Sequence, residues 1–150
     1  MTEAATRFVT PLTFQALSGR PVYTSMWQHV ESHDPQHISL ASAAHAAVVA
    51  PCSMNCMARL ATGLADDPVT LILSAIDRAR TPVLLAPAMN ETMWRQPTTQ
   101  RNLRRLQDDA FTIIGPAEGW QACRKVGPGR MTEPDDIARA LLLALKPARA

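Results

Sequence analysis

Residues 82–94 read PVLLAPAMNETMW, and the first six of them decide the fold. Pro82-Val83-Leu84-Leu85-Ala86-Pro87 is a short apolar run without alternation, the pattern of a strand covered on both faces rather than one with a wet side. The run stops at Met89-Asn90, an amide followed by an acid and a second Met-Trp pair. The same form recurs upstream in AAVVAP (46–51) and downstream in FTIIGP (111–116), each closing on proline. A helical stretch follows each run. Ser53 is placed to cap a helix carrying Met57, Leu60, Ala61 and Leu64 on one face. Pro97 suits the first turn of a helix through TTQRNLRRLQ with Leu103 and Leu106 facing inward. Thr132 and Asp135 form a candidate capping box for EPDDIARALLLAL, which ends before Pro147. RPVYTS (20–25), preceded by Gly19, is a weaker fourth strand. Alternating strands and helices predict an α/β fold, an open parallel sheet with helices on both faces in three layers of Rossmann or flavodoxin type.

The rest of the composition narrows the class. A chain of 150 residues fits one domain, long enough to bury roughly 70% of its unfolded surface. Apolar residues make up 47% and charged residues 19%, and no apolar run approaches the ~18 residues of a membrane span. The opening MTEAATRFVTPLTF lacks a basic segment with an apolar core behind it, so the expected address is the cytoplasm. A formal charge of +2 argues against a nucleic-acid partner, and RNLRRL reads as the wet face of a helix. Three cysteines, Cys52, Cys56 and Cys123, an odd number, argue against a disulfide framework, and the C-x3-C spacing is not that of redox or zinc pairs.

Architecture then places the chemistry. In open parallel sheets, ligands sit outside the carboxyl ends of the strands. Those ends carry Ser53 and Asn55, Met89 and Asn90, and Gly115-Pro116. Local readings compete for each: Ser53 as a helix cap, Asn55 as a first-turn residue, Asn90 as a turn former. Two strand ends offering an amide, which donates and accepts at once, favour a ligand with polar edges.

The residues also carry a family resemblance. PAMNETMW resembles the P-x-M-N-x-x-M-W signature of the flavin-containing cysteine decarboxylases, with the spacing matched throughout. HISLASAAHAAVVAPCSMNCMARLATGLADDPVT is similar to that family's H-I-x-L stretch leading to A-P-A-T-A-N and A-D-D-L. GPAEGWQACRKVGPGRMTEPDDI resembles its G-P-x-x-G-x-x-A-C-G-x-x-G-x-G-R-M segment. The resemblance runs from about Phe8 to Ile137, and the A-C and G-P-G-R-M patterns point to the bacterial phosphopantothenoylcysteine branch, a step of coenzyme A synthesis. It implies FMN as cofactor and a redox decarboxylation. The substrate's cysteine thiol is oxidised to a thioaldehyde, the carboxylate leaves as the sulfur takes up the electrons in an enethiolate, and the thiol is then regenerated. The cofactor carries the hard chemistry and the protein supplies position and charge control. By the same resemblance His37 is the active-site base, Asn90 binds the substrate carboxylate or adjoining amide, and Met89 packs beside the reacting group. Cys123 is the proton donor, Ser53 and Asn55 contact the flavin, and Arg130 meets the substrate phosphate. The implied assembly is a homo-oligomer, a trimer or a multiple of trimers. A phosphopantothenate-cysteine ligase, often fused to bacterial relatives, is the implied partner.

Each residue has a plainer reading. His29, His33 and His37 are spaced as on one helix face and so raise a metal site, but Pro35 breaks that helix and no metal is expected. Cys52 and Cys56 read as core thiols, Cys123 as either an inert thiol or part of the site, Arg130 as an ion-pair partner, and Trp27, Trp94 and Trp120 as packing or subunit contacts. VGPGRM reads as a loop. The sequence also departs from the family pattern. Relatives carry an N-terminal strand and a Gly-Ser-Ile-Ala-x-x-Lys-like loop and helix for the flavin phosphate, so the chain reads as one N-terminally incomplete domain lacking the first βαβ unit. Arg124 replaces the Gly of A-C-G, His45 stands where relatives carry Asp, and Pro68 interrupts A-D-D-L without evident chemical meaning. Two functions follow: an FMN-dependent decarboxylase acting on a small molecule, or a non-catalytic domain that assembles with or regulates family members.

Overall fold

The computed structural model describes residues 1–27 and 35–145. In chain order the elements are α1 (Glu3–Thr6), α2 (Pro11–Ser18), α3 (Gln36–Ala43), β1 (Ala47–Cys52), α4 (Met54–Thr62), α5 (Pro68–Ala75), β2 (Val83–Pro87), α6 (Glu91–Arg95), α7 (Pro97–Asp108), β3 (Phe111–Ile113), β4 (Ala117–Trp120), β5 (Val126–Arg130) and α8 (Pro134–Ala144). They fall into two compact units, Met1–Ala44 with Gly63–Ile76, and His45–Thr62 with Asp77–Ala150. The fold is α/β, with a parallel sheet and helices.

The second unit is organised by β2. All five of its residues are buried, Val83 to Ala86 with no exposed surface. Successive side chains of a strand point to opposite faces, so this burial means that both faces of β2 are covered. Strands β1 and β3 flank it, both parallel to it, with Val48 opposite Leu84 and Leu84 opposite Thr112. Burial on both faces, expected of all three runs, holds for the middle strand; in β1, Ala50 and Pro51 are exposed, and in β3, Thr112 is exposed. A flanking strand has a neighbour on one side only. Helix α4 buries Cys56, Met57, Leu60 and Ala61 and packs against α7, whose Leu106 has no exposed surface. Arg101, Arg104 and Arg105 of α7 are exposed, the wet face that RNLRRL predicts. Arg78 ties down the start of β3, its Nε donating to the Asp109 carbonyl at 2.7 Å and its guanidinium lying 4.5 Å from the Phe111 ring centre.

In the first unit α3 packs on α5. Asp67 caps α5, its Oδ1 accepting from the amides of Val69 (2.8 Å) and Thr70 (3.1 Å). Pro68 follows at the first helical position, where its missing N–H costs nothing and its fixed φ suits the turn. The residue that interrupts the family's A-D-D-L pattern therefore helps start a helix. RPVYTS is not a strand. Its apolar character serves burial instead: Tyr23 is buried, and its carbonyl accepts from the Met1 amine.

Two further expectations are corrected in the second unit. The capping box at α8 does not form: Glu133 is the N-cap and its side chain makes no capping bond. The Thr132 hydroxyl donates instead to the Ile114 carbonyl at 3.3 Å, a tertiary partner that a local motif does not anticipate. VGPGRM, expected to be a loop, supplies β5, which pairs antiparallel with β4 as a separate two-stranded sheet. Gly127 and Gly129 are spaces rather than turns. A Cβ on Gly129 would stand 2.2 Å from the Met89 carbonyl oxygen, and one on Gly127 2.5 Å from Glu91 Oε2. The absence of side chains lets the hairpin lie directly against the chain that leaves β2.

Candidate active site

The polar residues of PAMNETMW and of the β4–β5 hairpin meet in the second unit. Met89 donates its amide to the Gly129 carbonyl at 2.9 Å, extending the chain beyond β2 along the hairpin. Asn90 then caps α6, its Oδ1 accepting from the Thr92 amide at 2.8 Å. That bond fixes which end of the amide points where. Asn90 Nδ2 faces the hairpin and donates to Cys123 Sγ at 3.2 Å, joining residues 33 positions apart. An amide nitrogen has two N–H groups, so one remains for another acceptor. Asn90 is half-buried, and Cys123 is exposed.

Gln121, which the sequence reading passed over, is the organising residue of the hairpin. It is 7% exposed, unusual for a glutamine, and all its polar atoms have partners. Nε2 donates to the carbonyls of Pro128 (2.8 Å) and Gly127 (3.2 Å). Oε1 accepts from the Glu91 amide at 3.2 Å and lies 3.5 Å from Cys123 Sγ. The available signal was its position two residues before Cys123, in a segment already matched to the family pattern. Arg124, next after the thiol, adopts a left-handed conformation at φ 63° and donates its amide to the Gln121 carbonyl at 2.9 Å. A glycine enters this region without steric cost, which gives the family's glycine at this position a backbone reason.

The other expected residues are placed as follows. Ser53 starts α4, its Oγ accepting from the Cys56 amide at 3.3 Å; the local capping role is real. Asn55 is in the first turn, exposed, and its amide makes no hydrogen bond with any described residue. Both lie at the carboxyl end of β1. Ser53 keeps a hydroxyl proton to donate, and Asn55 keeps a donor and an acceptor. That set fits the alternating donors and acceptors along the edge of a flavin ring. Arg130 forms an ion pair with Glu133, and its side chain is 42% exposed. His37 belongs to the first unit, on α3; it is half-buried, and its ring makes no hydrogen bond with a described residue. His29 and His33 lie outside the described residues, and among the described residues no cluster of three metal-ligating side chains occurs.

Of the two remaining cysteines, Cys52 is fully buried and Cys56 nearly so, as core thiols should be. A hydrogen bond with Cys56 and burial hold the Cys52 thiol far above its usual range. Trp27 and Trp120 are 86% and 63% exposed, so these two rings are not packed in the core. No helix among the described residues is long and apolar enough to cross a membrane.

Known proteins resemble this chain in sequence and fold. The chain is 45% identical over 139 residues to the coenzyme A biosynthesis bifunctional protein CoaBC of Bacillus subtilis (strain 168), a match covering 93% of this chain and 34% of the relative. Identity to the protein of the same name from Haemophilus influenzae is also 45%, over 94% of this chain and 34% of that one. The chain thus spans about a third of the length of these curated relatives. Among solved structures, a cysteine-to-serine mutant of PPC decarboxylase complexed with pantothenoylaminoethenethiol superposes with a TM-score of 0.73 at 36% identity, covering 80% of this chain and 65% of that one. The FMN-dependent cysteine decarboxylase SpaF gives a TM-score of 0.79 at 29% identity, with 97% and 78% covered. Residues 1–145 match the family described as Flavoprotein, and with nearly the whole chain inside that match, this protein belongs to the Flavoprotein family.

Proposed function

We propose that this chain is an FMN-dependent decarboxylase of phosphopantothenoylcysteine, producing phosphopantetheine for coenzyme A synthesis. The observation that carries the reading is the 3.2 Å hydrogen bond from Asn90 Nδ2 to Cys123 Sγ. It brings the two halves of the family pattern, one at the end of a buried strand and one on a hairpin, to a single point. Support also comes from relatives whose names state coenzyme A biosynthesis, PPC decarboxylase and FMN-dependent cysteine decarboxylase.

FMN, when bound, supplies the two-electron oxidation of the substrate's cysteinyl side chain and the later return of those electrons. Ser53 and Asn55 hold its polar edge. Asn90 has one N–H engaged by the thiol and offers the other to the substrate carboxylate, so the leaving group is fixed beside the proton donor. Met89 packs against the reacting group. Cys123 gives its S–H proton to the substrate after loss of carbon dioxide, and Asn90 Nδ2 then donates to the resulting thiolate. A donor already directed at the developing charge needs no reorganisation during the step. His37, with no hydrogen-bond partner among the described residues, is the base that accepts the substrate thiol proton, a task suited to imidazole near neutral pH. Arg130 keeps donors beyond its pair with Glu133 for the substrate phosphate. Assembly as a homo-oligomer and supply of substrate by a phosphopantothenate-cysteine ligase complete the proposal.

The test is direct. The purified protein mixed with FMN should take up the flavin, shown by its absorbance after gel filtration, and should release carbon dioxide from phosphopantothenoylcysteine. Cys123→Ser should bind substrate, lose turnover and release an enethiol. A protein that neither binds FMN nor decarboxylates the substrate sinks the proposal.

A further inference from the structure

The Cys123 sulfur sits between two amides whose orientations are set by other bonds. Gln121 Nε2 is committed to two carbonyls of β5, Pro128 at 2.8 Å and Gly127 at 3.2 Å. A carbonyl only accepts, so the nitrogen must face β5 and the oxygen must face away. That oxygen lies 3.5 Å from Cys123 Sγ and accepts from the Glu91 amide on its other side. Asn90 Oδ1 is committed to the Thr92 amide, so its nitrogen must face the sulfur, at 3.2 Å. The sulfur therefore has a donor on one side and an acceptor on the other. Only a thiol that carries its proton, with the S–H aimed at Gln121, satisfies both.

We propose that Gln121 is a positioning residue that keeps the Cys123 proton on the sulfur and fixes its direction until a substrate atom takes it. The proposal rests on the reading of Cys123 as the proton donor. Asn90 is matched to the thiolate and Gln121 to the thiol. A hydrogen bond to the neutral form of an acid disfavours its ionised form, so Gln121 opposes early loss of the proton, and Asn90 stabilises the sulfur once the proton has gone. Burial of Gln121 gives this acceptor its fixed place: its side-chain hydrogen bonds run to backbone groups of neighbouring segments and to the thiol itself.

Thiolate is the form that alkylates, so the rate of iodoacetamide reaction at Cys123 as a function of pH reports the proton without flavin or substrate. Cys52 and Cys56 are buried, and mass spectrometry of the Cys123 peptide isolates its signal. Gln121→Met, isosteric and without an acceptor, should alkylate about 5-fold faster at neutral pH, the scale of one neutral hydrogen bond. Gln121→Glu, whose protonated carboxyl can donate to β5 and still turn an oxygen toward the sulfur, should alkylate no faster than the parent protein. A rise in the Met variant alone is the signature of a proton-directing role, because loosening of the hairpin would accelerate both variants. Both faster, or neither changed, overturns the proposal. Where a variant does not fold by circular dichroism, the parent protein decides. Its S–H infrared band, isolated as a difference spectrum against Cys123→Ser, should lie below that of a free thiol, and a band at the free-thiol position overturns the assignment. These readouts separate the two claims. Shifts as expected in a protein that does not decarboxylate leave Gln121 in place and sink the proposed function; normal turnover with no shifts does the reverse.

Discussion

Asn90 performs two tasks that a single substitution can separate. Its oxygen caps α6 and its nitrogen serves the thiol. Aspartate caps a helix as well as asparagine does but has no N–H. Asn90→Asp should therefore unfold within about 0.5 kcal/mol of the parent protein, while turnover falls about 10- to 100-fold, the scale of a hydrogen bond to a charged group. Equal losses in urea unfolding and in turnover would refute the division. Arg124 offers a test of backbone strain. Its φ of 63° costs a side chain about 1 kcal/mol or more, part of which glycine returns through its freer unfolded chain. Arg124→Gly should raise the urea midpoint by about 0.5–1 kcal/mol equivalent with the slope unchanged. A lower midpoint would mean that the arginine side chain contributes more than its backbone costs.

At the scale of elements, the β4–β5 hairpin depends on two glycines in different ways. In Gly129→Ala the new methyl would meet a main-chain oxygen at 2.2 Å from a φ of 126°, and neither can yield. That change should cost at least about 3 kcal/mol, at the severe end for a point substitution, and should detach the hairpin from Met89. Gly127→Ala would meet the end of the Glu91 side chain at 2.5 Å, which can rotate away at the expense of its 2.8 Å pair with Arg95. An exposed pair of this kind is worth about 0–1 kcal/mol, so the cost should stay near 1 kcal/mol. Thermal unfolding of the two variants side by side checks the order. Strand β2 carries a different load. Leu84 and Leu85 have no exposed surface, and Leu84→Ala should cost about 2–5 kcal/mol by loss of burial and a residual cavity.

For the molecule as a whole, binding and folding are linked. FMN held by the native state and not by the unfolded chain stabilises by about 2.7 kcal/mol at a concentration 100 times its dissociation constant. A rise in Tm that grows with FMN concentration is the expected result, and an unchanged Tm across the titration would count against the proposed cofactor. The same measurement on Asn55→Ala tests the residue placed at the flavin edge: the FMN-dependent rise should shrink while the Tm without FMN stays the same, since the amide has no partner among the described residues.

Much of this was legible in the sequence. The three apolar runs, the cap at Ser53, the start of α7 at Pro97 and the core thiols Cys52 and Cys56 all follow from local pattern, because a buried strand or an amphipathic helix writes its environment into consecutive residues. Asn90 was found for the same reason, at the end of the most apolar run. Tertiary structure alone decided the rest. Tyr23 lies in an apolar stretch that is not a strand, because apolar residues report burial and not the pairing that makes a sheet. Thr132 left its predicted capping box for the Ile114 carbonyl, 18 residues away. The glycines of VGPGRM are needed by Met89 and Glu91, which only the folded chain brings near. Gln121 acquires its role from atoms of three separate segments. A hydrogen-bond partner distant in the chain leaves no periodicity at the residue that uses it, and for that reason the thiol and the strand end could be named from sequence while the amide between them could not.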